Sequence, residues 1–210
     1  QAAAVTPEEI NLEIQRAHEL IGLGRTDQAL ASLGRLIASE PAAAGPAELL
    51  MALAQLRAKR LAEAIRHAEA SLRADPEHAA TYTVLASGLQ LSGRSRDAVH
   101  VLQRGLELDP TMTEAYSLGA QALSDLKAHQ DAENWARTAL QLTPDEADAH
   151  FAMGYVLHDL RPAQAEEAYR ATLQREPEHM QAMQNLATLR ARQGDRRGAT
   201  HLLPDVLAGT

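Results

Sequence analysis

The tripeptide Pro-Glu-His occurs twice in the sequence, at residues 76–78 and again at residues 177–179. A carboxylate beside an imidazole can transfer protons near neutral pH, and both groups are ligands for divalent metal ions. The chain has nine histidines and no cysteine, so histidine and carboxylate groups carry most of the chemistry that the sequence offers. Each copy is either part of a reactive site or a structural feature that recurs because the architecture recurs.

The histidines do not have the spacing of a local metal site. No two of them lie three or four residues apart, as two ligands on one face of a helix would. The sequence also has no glycine-rich phosphate loop, no nucleophile elbow and no metalloprotease helix signature. The absence of cysteine excludes disulfides, thiol catalysis and cysteine-based zinc sites. We therefore expect no catalytic residue, no metal and no cofactor, and histidines that are solvated or that cap helices.

Composition favours a helical chain with an acidic surface. Of the 210 residues, 45% are hydrophobic and only 3% are aromatic, and alanine is frequent, which favours helices over sheet. The net charge of −8 would repel a phosphate backbone, so nucleic acid is not an expected partner. No apolar run reaches the length of about 18 residues that a membrane span needs, so direct membrane insertion is not expected. The lack of cysteine leaves the compartment open, with the cytoplasm slightly favoured over the periplasm.

Prolines at nearly constant spacing divide the chain into repeats. A proline follows an apolar helical stretch at positions 41, 76, 110, 144 and 177, with spacings of 35, 34, 34 and 33 residues. An alanine lies twelve residues before each of these prolines, at positions 29, 64, 98, 132 and 165. Turn signals that contain Gly24, Gly93 and Gly194 come before this alanine column, and glycine suits a left-handed helix end. Each repeat is therefore predicted to be a helix, a tight turn and a second helix.

The segment from residue 79 to residue 110 resembles a tetratricopeptide repeat. It has aromatic, apolar, small and proline residues where that motif has them, namely Tyr82, Leu85, Ala86, Leu89, Gly93, Ala98, Leu102 and Pro110. Six such units, at about 7–41, 42–76, 77–110, 111–144, 145–177 and a divergent 178–210, cover the chain as a single array. The resemblance implies an all-α fold, a right-handed α-solenoid of helix-turn-helix repeats, in which stacked helix pairs share a core. It also implies an inner surface lined by the first helix of each repeat.

The repeat register assigns candidate partner-binding residues to this inner groove. They are Asn11, Gln15 and His18 in the first repeat, Thr83, Ser87 and Gln90 in the third, Glu114, Ser117, Gln121 and Asp125 in the fourth, Asp148, Phe151, Tyr155 and Asp159 in the fifth, and Gln184, Asn185, Thr188 and Arg192 in the sixth. The middle of the groove carries four carboxylates around Phe151 and Tyr155. This predicts a partner peptide or helix with lysine or arginine and an apolar anchor. The alternative is that the acids only solvate a helix face while the aromatic rings pack on their neighbours.

Two classes of function fit these features. The first is a non-catalytic scaffold or adaptor that binds a protein or peptide in its groove. The second is the recognition or targeting region of a larger enzyme, such as a transferase or hydroxylase. The chain begins at Gln1 rather than at methionine, which indicates a processed chain or a fragment. Pro204 interrupts its last helix, so this broken helix is either the cap of the array or a sign that more protein followed. An end repeat without a polar cap would also allow self-association into a homo-oligomer.

Overall fold

The computed structural model describes residues 6–202 of the chain. All regular secondary structure of these residues is helical, in agreement with the predicted all-α class. The α-helices are α1 Pro7–Gly22, α2 Thr26–Ser39, α3 Ala44–Arg57, α4 Leu61–Ala74, α5 Ala79–Leu91, α6 Ser95–Leu108, α7 Thr113–Asp125, α8 His129–Leu142, α9 Ala147–Leu157, α10 Pro162–Arg175, α11 Met180–Arg192 and α12 Arg196–Leu202. A short 3₁₀ turn, Pro41–Ala43, comes before α3. Pro204, which the sequence places in the last helix, lies outside the described residues.

The helices form pairs, and the pairs fall into two compact units divided after Pro110. The N-terminal unit contains α1 to α6 and the C-terminal unit contains α7 to α12. Within each unit, the second helix of one pair packs on the first helix of the next, as α4 does on α5 and α8 does on α9. First helices also contact each other, as α7 and α9 do. This is the stacking of helix-turn-helix repeats, which buries apolar stripes that one pair cannot bury alone. The organisation as one array stays a prediction.

The turn inside most pairs contains one residue in the left-handed region. The predicted glycines adopt it, with φ of 75° at Gly24, 76° at Gly93 and 87° at Gly194. Lys59 and Lys127 hold the same place in the second and fourth repeats, with φ of 57° and 61°. Lysine has a higher conformational free energy than glycine at this position, because a side chain at positive φ clashes with the following carbonyl. The left-handed glycine turn is thus confirmed, and two repeats form it without glycine.

The Pro-Glu-His sequences mark the start of a helix. His78 directly precedes α5 and His179 directly precedes α11. The Nδ1 atom of His179 accepts a hydrogen bond from the backbone N–H of Ala182 at 3.1 Å, which satisfies one of the free donors of the helix start. His78 Nδ1 lies 2.8 Å from the hydroxyl of Thr81. The expectation of a capping histidine is confirmed at His179.

Two first helices are also tied to the turn that precedes them. The hydroxyl of Tyr82 donates to the backbone carbonyl of Pro76 at 2.8 Å. His150, at the same place two repeats later, lies with Nε2 2.7 Å from the carbonyl oxygen of Pro144. A carbonyl only accepts, so Nε2 of His150 carries the proton. Different residue types therefore make the same contact at the same point of the repeat.

Two glycines of first helices lie directly under aromatic rings of second helices. A Cβ atom on Gly119 would lie 2.1 Å from the ring of Trp135, and one on Gly154 would lie 2.7 Å from the ring of Tyr169. Tyr169 is completely buried, and Trp135 also packs edge-on against Tyr116. The rings can occupy these places only because the glycines have no side chain. The two helices of the fifth repeat therefore lie close together at Gly154.

We expect Gly154→Ala to destabilise the protein by about 1–3 kcal/mol, because the added methyl group must displace a fully packed ring. The matched control is Gly34→Ala in α2, where no atom lies within 4 Å of the added Cβ. That change should stabilise by about 0.5–1 kcal/mol, since alanine restricts the unfolded chain and favours helix. Urea unfolding followed by circular dichroism measures both. Equal effects of the two substitutions would contradict this account of the glycine.

A second pair of variants tests the left-handed turns. Lys59→Gly should stabilise by up to about 1 kcal/mol, because relief of about 1–2 kcal/mol of strain exceeds the greater entropy of glycine in the unfolded chain. The reverse change at the equivalent turn, Gly93→Lys, should destabilise by a similar amount. Nothing lies within 4 Å of the Cβ position at Gly93, so steric crowding does not complicate the comparison. The measurement is the urea midpoint, and a loss of stability in Lys59→Gly would argue against strain at that residue.

Candidate functional site

Four of the predicted groove residues line one pocket of about 180 Å³ in the C-terminal unit. Asp125 is the last residue of α7, Tyr155 lies on α9, Asp159 lies in the turn after α9, and Asn185 lies on α11. First helices of three successive pairs therefore contribute to a single cavity. The remaining lining residues are Ser124, Lys127, His158 and Tyr169.

The wall of the pocket is a neutral hydrogen-bonded group around Tyr169. Its hydroxyl lies 3.1 Å from Nδ1 of His158 and 3.4 Å from Nδ2 of Asn185. The amide nitrogen of Asn185 can only donate, so the hydroxyl accepts from Asn185, and its own proton is then available to an unprotonated Nδ1 of His158. Burial lowers the pKa of His158, with a smaller contribution in the same direction from Arg192 and an opposing one from Asp159. Burial also raises the pKa of Tyr169, so the phenol stays protonated.

The two carboxylates at the mouth of the pocket accept hydrogen bonds from other side chains of the protein. The hydroxyl of Tyr155 donates to Oδ1 of Asp125 at 2.7 Å, and Nη1 of Arg192 donates to Oδ1 of Asp159 at 2.8 Å. The bond from Arg192 lowers the pKa of Asp159, so this carboxylate is ionised at neutral pH. Burial raises the pKa of Tyr155, and Asp125 and Asp159 raise it further. The phenol therefore remains a hydrogen-bond donor.

Phe151 lies in the core rather than at the pocket surface. Its side chain is 3% exposed, and its ring packs 4.7 Å from the ring of His179 and 6.0 Å from that of Tyr169, centroid to centroid. Because Nδ1 of His179 accepts from the backbone, Nε2 carries the proton, and it lies 3.4 Å from Oδ1 of Asp148. Phe151 therefore packs on neighbouring rings in the core, and Asp148 lies beside the ring of His179.

The other predicted groove residues lie elsewhere on the first helices. Glu114 and Gln184 are exposed, as is Thr188, whose hydroxyl donates to the carbonyl of Gln184. Gln121 is half-buried and donates to the carbonyl of Ser117, whose own side chain is buried.

The N-terminal unit holds the remaining predicted residues. Asn11, Gln15 and His18 are exposed on α1, and Ser87 and Gln90 are half-buried on α5. Thr83 is buried and donates to the carbonyl of Ala80. These residues therefore differ widely in how much of their side chains a partner could reach.

Sequence reasoning missed half of the pocket lining, and two of the missed residues had a signal. Lys127 occupies the turn position where three other repeats have glycine, and like Lys59 in the second repeat it departs from that column. Tyr169 follows the small residue Gly154 at the distance that brings a second helix back onto the first. His158 has no comparable signal, because its contact with Tyr169 depends on where α9 ends.

The two phenols that line the pocket stay protonated at neutral pH. A phenol becomes a base or nucleophile when its pKa falls, and the surroundings of Tyr155 and Tyr169 raise it. Within residues 6–202, no group of three or more histidine, aspartate and glutamate side chains is arranged to hold a metal ion. The same stretch contains no helix that is both long and apolar enough to span a membrane.

Comparison with known proteins gives a consistent fold. A search of the curated proteins finds no match. Among solved structures, MamA is 26% identical with a TM-score of 0.53, and the match covers 73% of this chain and 91% of that chain. YrrB, described as a tetratricopeptide protein with an unusual peptide-binding site, is 23% identical with a TM-score of 0.62 over 86% of this chain and 90% of its own. PilF of Pseudomonas aeruginosa is 18% identical with a TM-score of 0.74 over 95% of this chain and 94% of its own.

The likeness to YrrB and PilF shows the fold alone, because identity is low. The family evidence comes from the model of the tetratricopeptide repeat, which matches residues 14–79, 83–147 and 159–196. These segments take in most of the chain and most of its helix pairs. The chain belongs to the tetratricopeptide repeat family.

Proposed function

We propose that this chain is a non-catalytic scaffold that binds a peptide or helical segment of a partner protein. The observation that carries the proposal is the convergence of Asp125, Tyr155, Asp159 and Asn185 on one pocket. Residues from three first helices meet there, as an extended ligand crossing successive repeats would require. The family membership and the peptide-binding site named for YrrB support a protein partner.

The size of the pocket indicates what it holds. Pockets for whole small molecules measure about 300–1,000 Å³, so about 180 Å³ suits one side chain of a longer ligand. Two carboxylates and a phenol at the mouth favour a cationic side chain. The rest of the ligand would then lie along the exposed first helices.

The apolar part of the partner needs a different anchor from the one that the sequence indicated. Phe151 is buried, whereas Leu126 and Leu160 are 40% and 44% exposed. Leu126 lies between the lining residues Asp125 and Lys127, and Leu160 directly follows Asp159. We propose that these two leucines supply the apolar contact beside the basic residue.

The binding test uses short labelled peptides that share leucines and differ only in carrying arginine, lysine or glutamate. The basic peptides should bind and the glutamate peptide should not, and added salt should weaken binding because the contacts are exposed. The double variant Asp125→Asn, Asp159→Asn should lower affinity by roughly three- to tenfold, since each exposed ion pair contributes up to about 1 kcal/mol. Fluorescence polarisation measures the affinities.

The matched control for that experiment is Asp131→Asn, Glu167→Gln. It removes the same charge from exposed positions on the second helices α8 and α10. The control should bind as the unaltered protein does. Equal weakening in both double variants would place the effect in the overall charge and would contradict a site at the pocket.

The pocket wall should respond to pH through His158. Its pKa in the folded protein is lower than the value of about 6.5 in an unfolded chain, so the unfolded state takes up the proton first as pH falls. The stabilisation from neutral His158 is thus present above about pH 6.5 and is lost as pH falls through the folded pKa. Urea unfolding between about pH 7.5 and about pH 5 should show a steeper loss in the unaltered protein than in His158→Gln. Parallel curves would mean that His158 does not contribute to this dependence.

A further inference from the structure

The pocket mouth already contains a guanidinium from the protein itself. Arg192, the last residue of α11, donates to Asp159 from 33 residues away in the sequence. We infer that Arg192 is an internal competitor, and that the partner residue which enters the pocket is an arginine that replaces it on Asp159. This inference rests on the function proposed above.

A neighbouring ion pair shows what a structural contact on this helix looks like. Arg190, two residues earlier, donates through Nε and Nη2 to Glu166 on α10, and both side chains are only 19% exposed. Glu166 also pairs with the more exposed Arg170 at 2.7 Å, so its carboxylate has two arginine partners. This cluster ties α11 to α10.

The ion pair between Arg192 and Asp159 is, in contrast, mostly exposed to water. The side chain of Arg192 is 59% exposed, that of Asp159 is 66% exposed, and a single hydrogen bond joins them. An ion pair this open to water contributes little to stability and breaks readily. Arg190 holds the helix in place, so Arg192 can leave Asp159 without releasing α11. The pair therefore exchanges partners at little cost.

The charges at the mouth explain why the exchange would matter. Asp125 and Asp159 are offset by Lys127 and Arg192 while the internal pair is closed. When Arg192 moves away, the net charge of the mouth becomes more negative by one, and Asp159 can bind an incoming cation. A guanidinium has five N–H donors in a planar fork and can bond to more than one carboxylate, whereas an ammonium acts as a point charge. Two carboxylates at one mouth therefore favour arginine over lysine.

The test is a double-mutant cycle on binding of the arginine peptide. Arg192→Gln should raise affinity by about two- to fivefold, because one exposed ion pair no longer has to break before the peptide binds. Asp159→Asn should lower it, and in the Asp159→Asn background Arg192→Gln should bring no gain. Arg170→Gln is the control, because it removes the same charge from the same unit while Glu166 keeps Arg190.

Each other result overturns a stated part of the inference. A fall in affinity in Arg192→Gln would mean that Arg192 itself contacts the partner. An equal gain in the Asp159→Asn background or in Arg170→Gln would assign the effect to overall charge. Lysine and arginine peptides of equal affinity would refute the choice of arginine. If no variant binds any basic peptide, both the competitor and the proposed function fail, whereas binding with no change in Arg192→Gln removes the competitor alone.

The stability of the same variants separates a competitor from a structural contact. Arg192→Gln should leave the urea midpoint unchanged, and Arg190→Gln should lower it, because its removal leaves a half-buried carboxylate with fewer partners. A fall in midpoint for Arg192→Gln as large as that for Arg190→Gln would show that Arg192 holds α11 in place, and would overturn the inference.

Discussion

The close approach of the two helices in each pair is the constraint on which the rest of the C-terminal unit depends. Gly119 and Gly154 leave the space that the rings of Trp135 and Tyr169 fill, and the alanines of the second-helix column are fully buried at 132 and 165. Such small residues fix how near the helices lie, so large side chains can enter only at a few places. The rings occupy these places, and close packing around them fixes their positions.

The position of the Tyr169 ring also determines the geometry of the pocket. With its ring held on Gly154, the hydroxyl has one position, and that position lies within hydrogen-bond distance of both His158 and Asn185. These two side chains come from the end of α9 and from α11, so one buried phenol orders two elements of the pocket. The ring of Tyr169 thus belongs to the core, while its hydroxyl belongs to the wall of the pocket.

The sequence predicted the helix pairs and their turns because the repeat places the same physical requirement at the same position several times. Proline after each second helix and glycine at the left-handed turn are such requirements, and Gly24, Gly93 and Gly194 meet the latter. The repeat register also named Asp125, Tyr155, Asp159 and Asn185, which the structure brings together. It could not tell that Phe151 is buried, because this burial depends on Tyr169 on α10 and on His179 directly before α11, and neither is a groove position of the register.

The C-terminal unit contains two kinds of ion pair, which differ in how far they are exposed to water. Glu133 pairs with Arg137 on its own helix and with Arg161 from the next turn, just as Glu166 pairs with Arg170 and with Arg190. Each glutamate is about one-fifth exposed, so both carboxylates have little water around them and depend on their arginines. Asp159 and Arg192 are each more than half exposed to water and depend on each other much less. The exchange that we propose at Asp159 requires the second kind of pair, placed on helices that the first kind already holds.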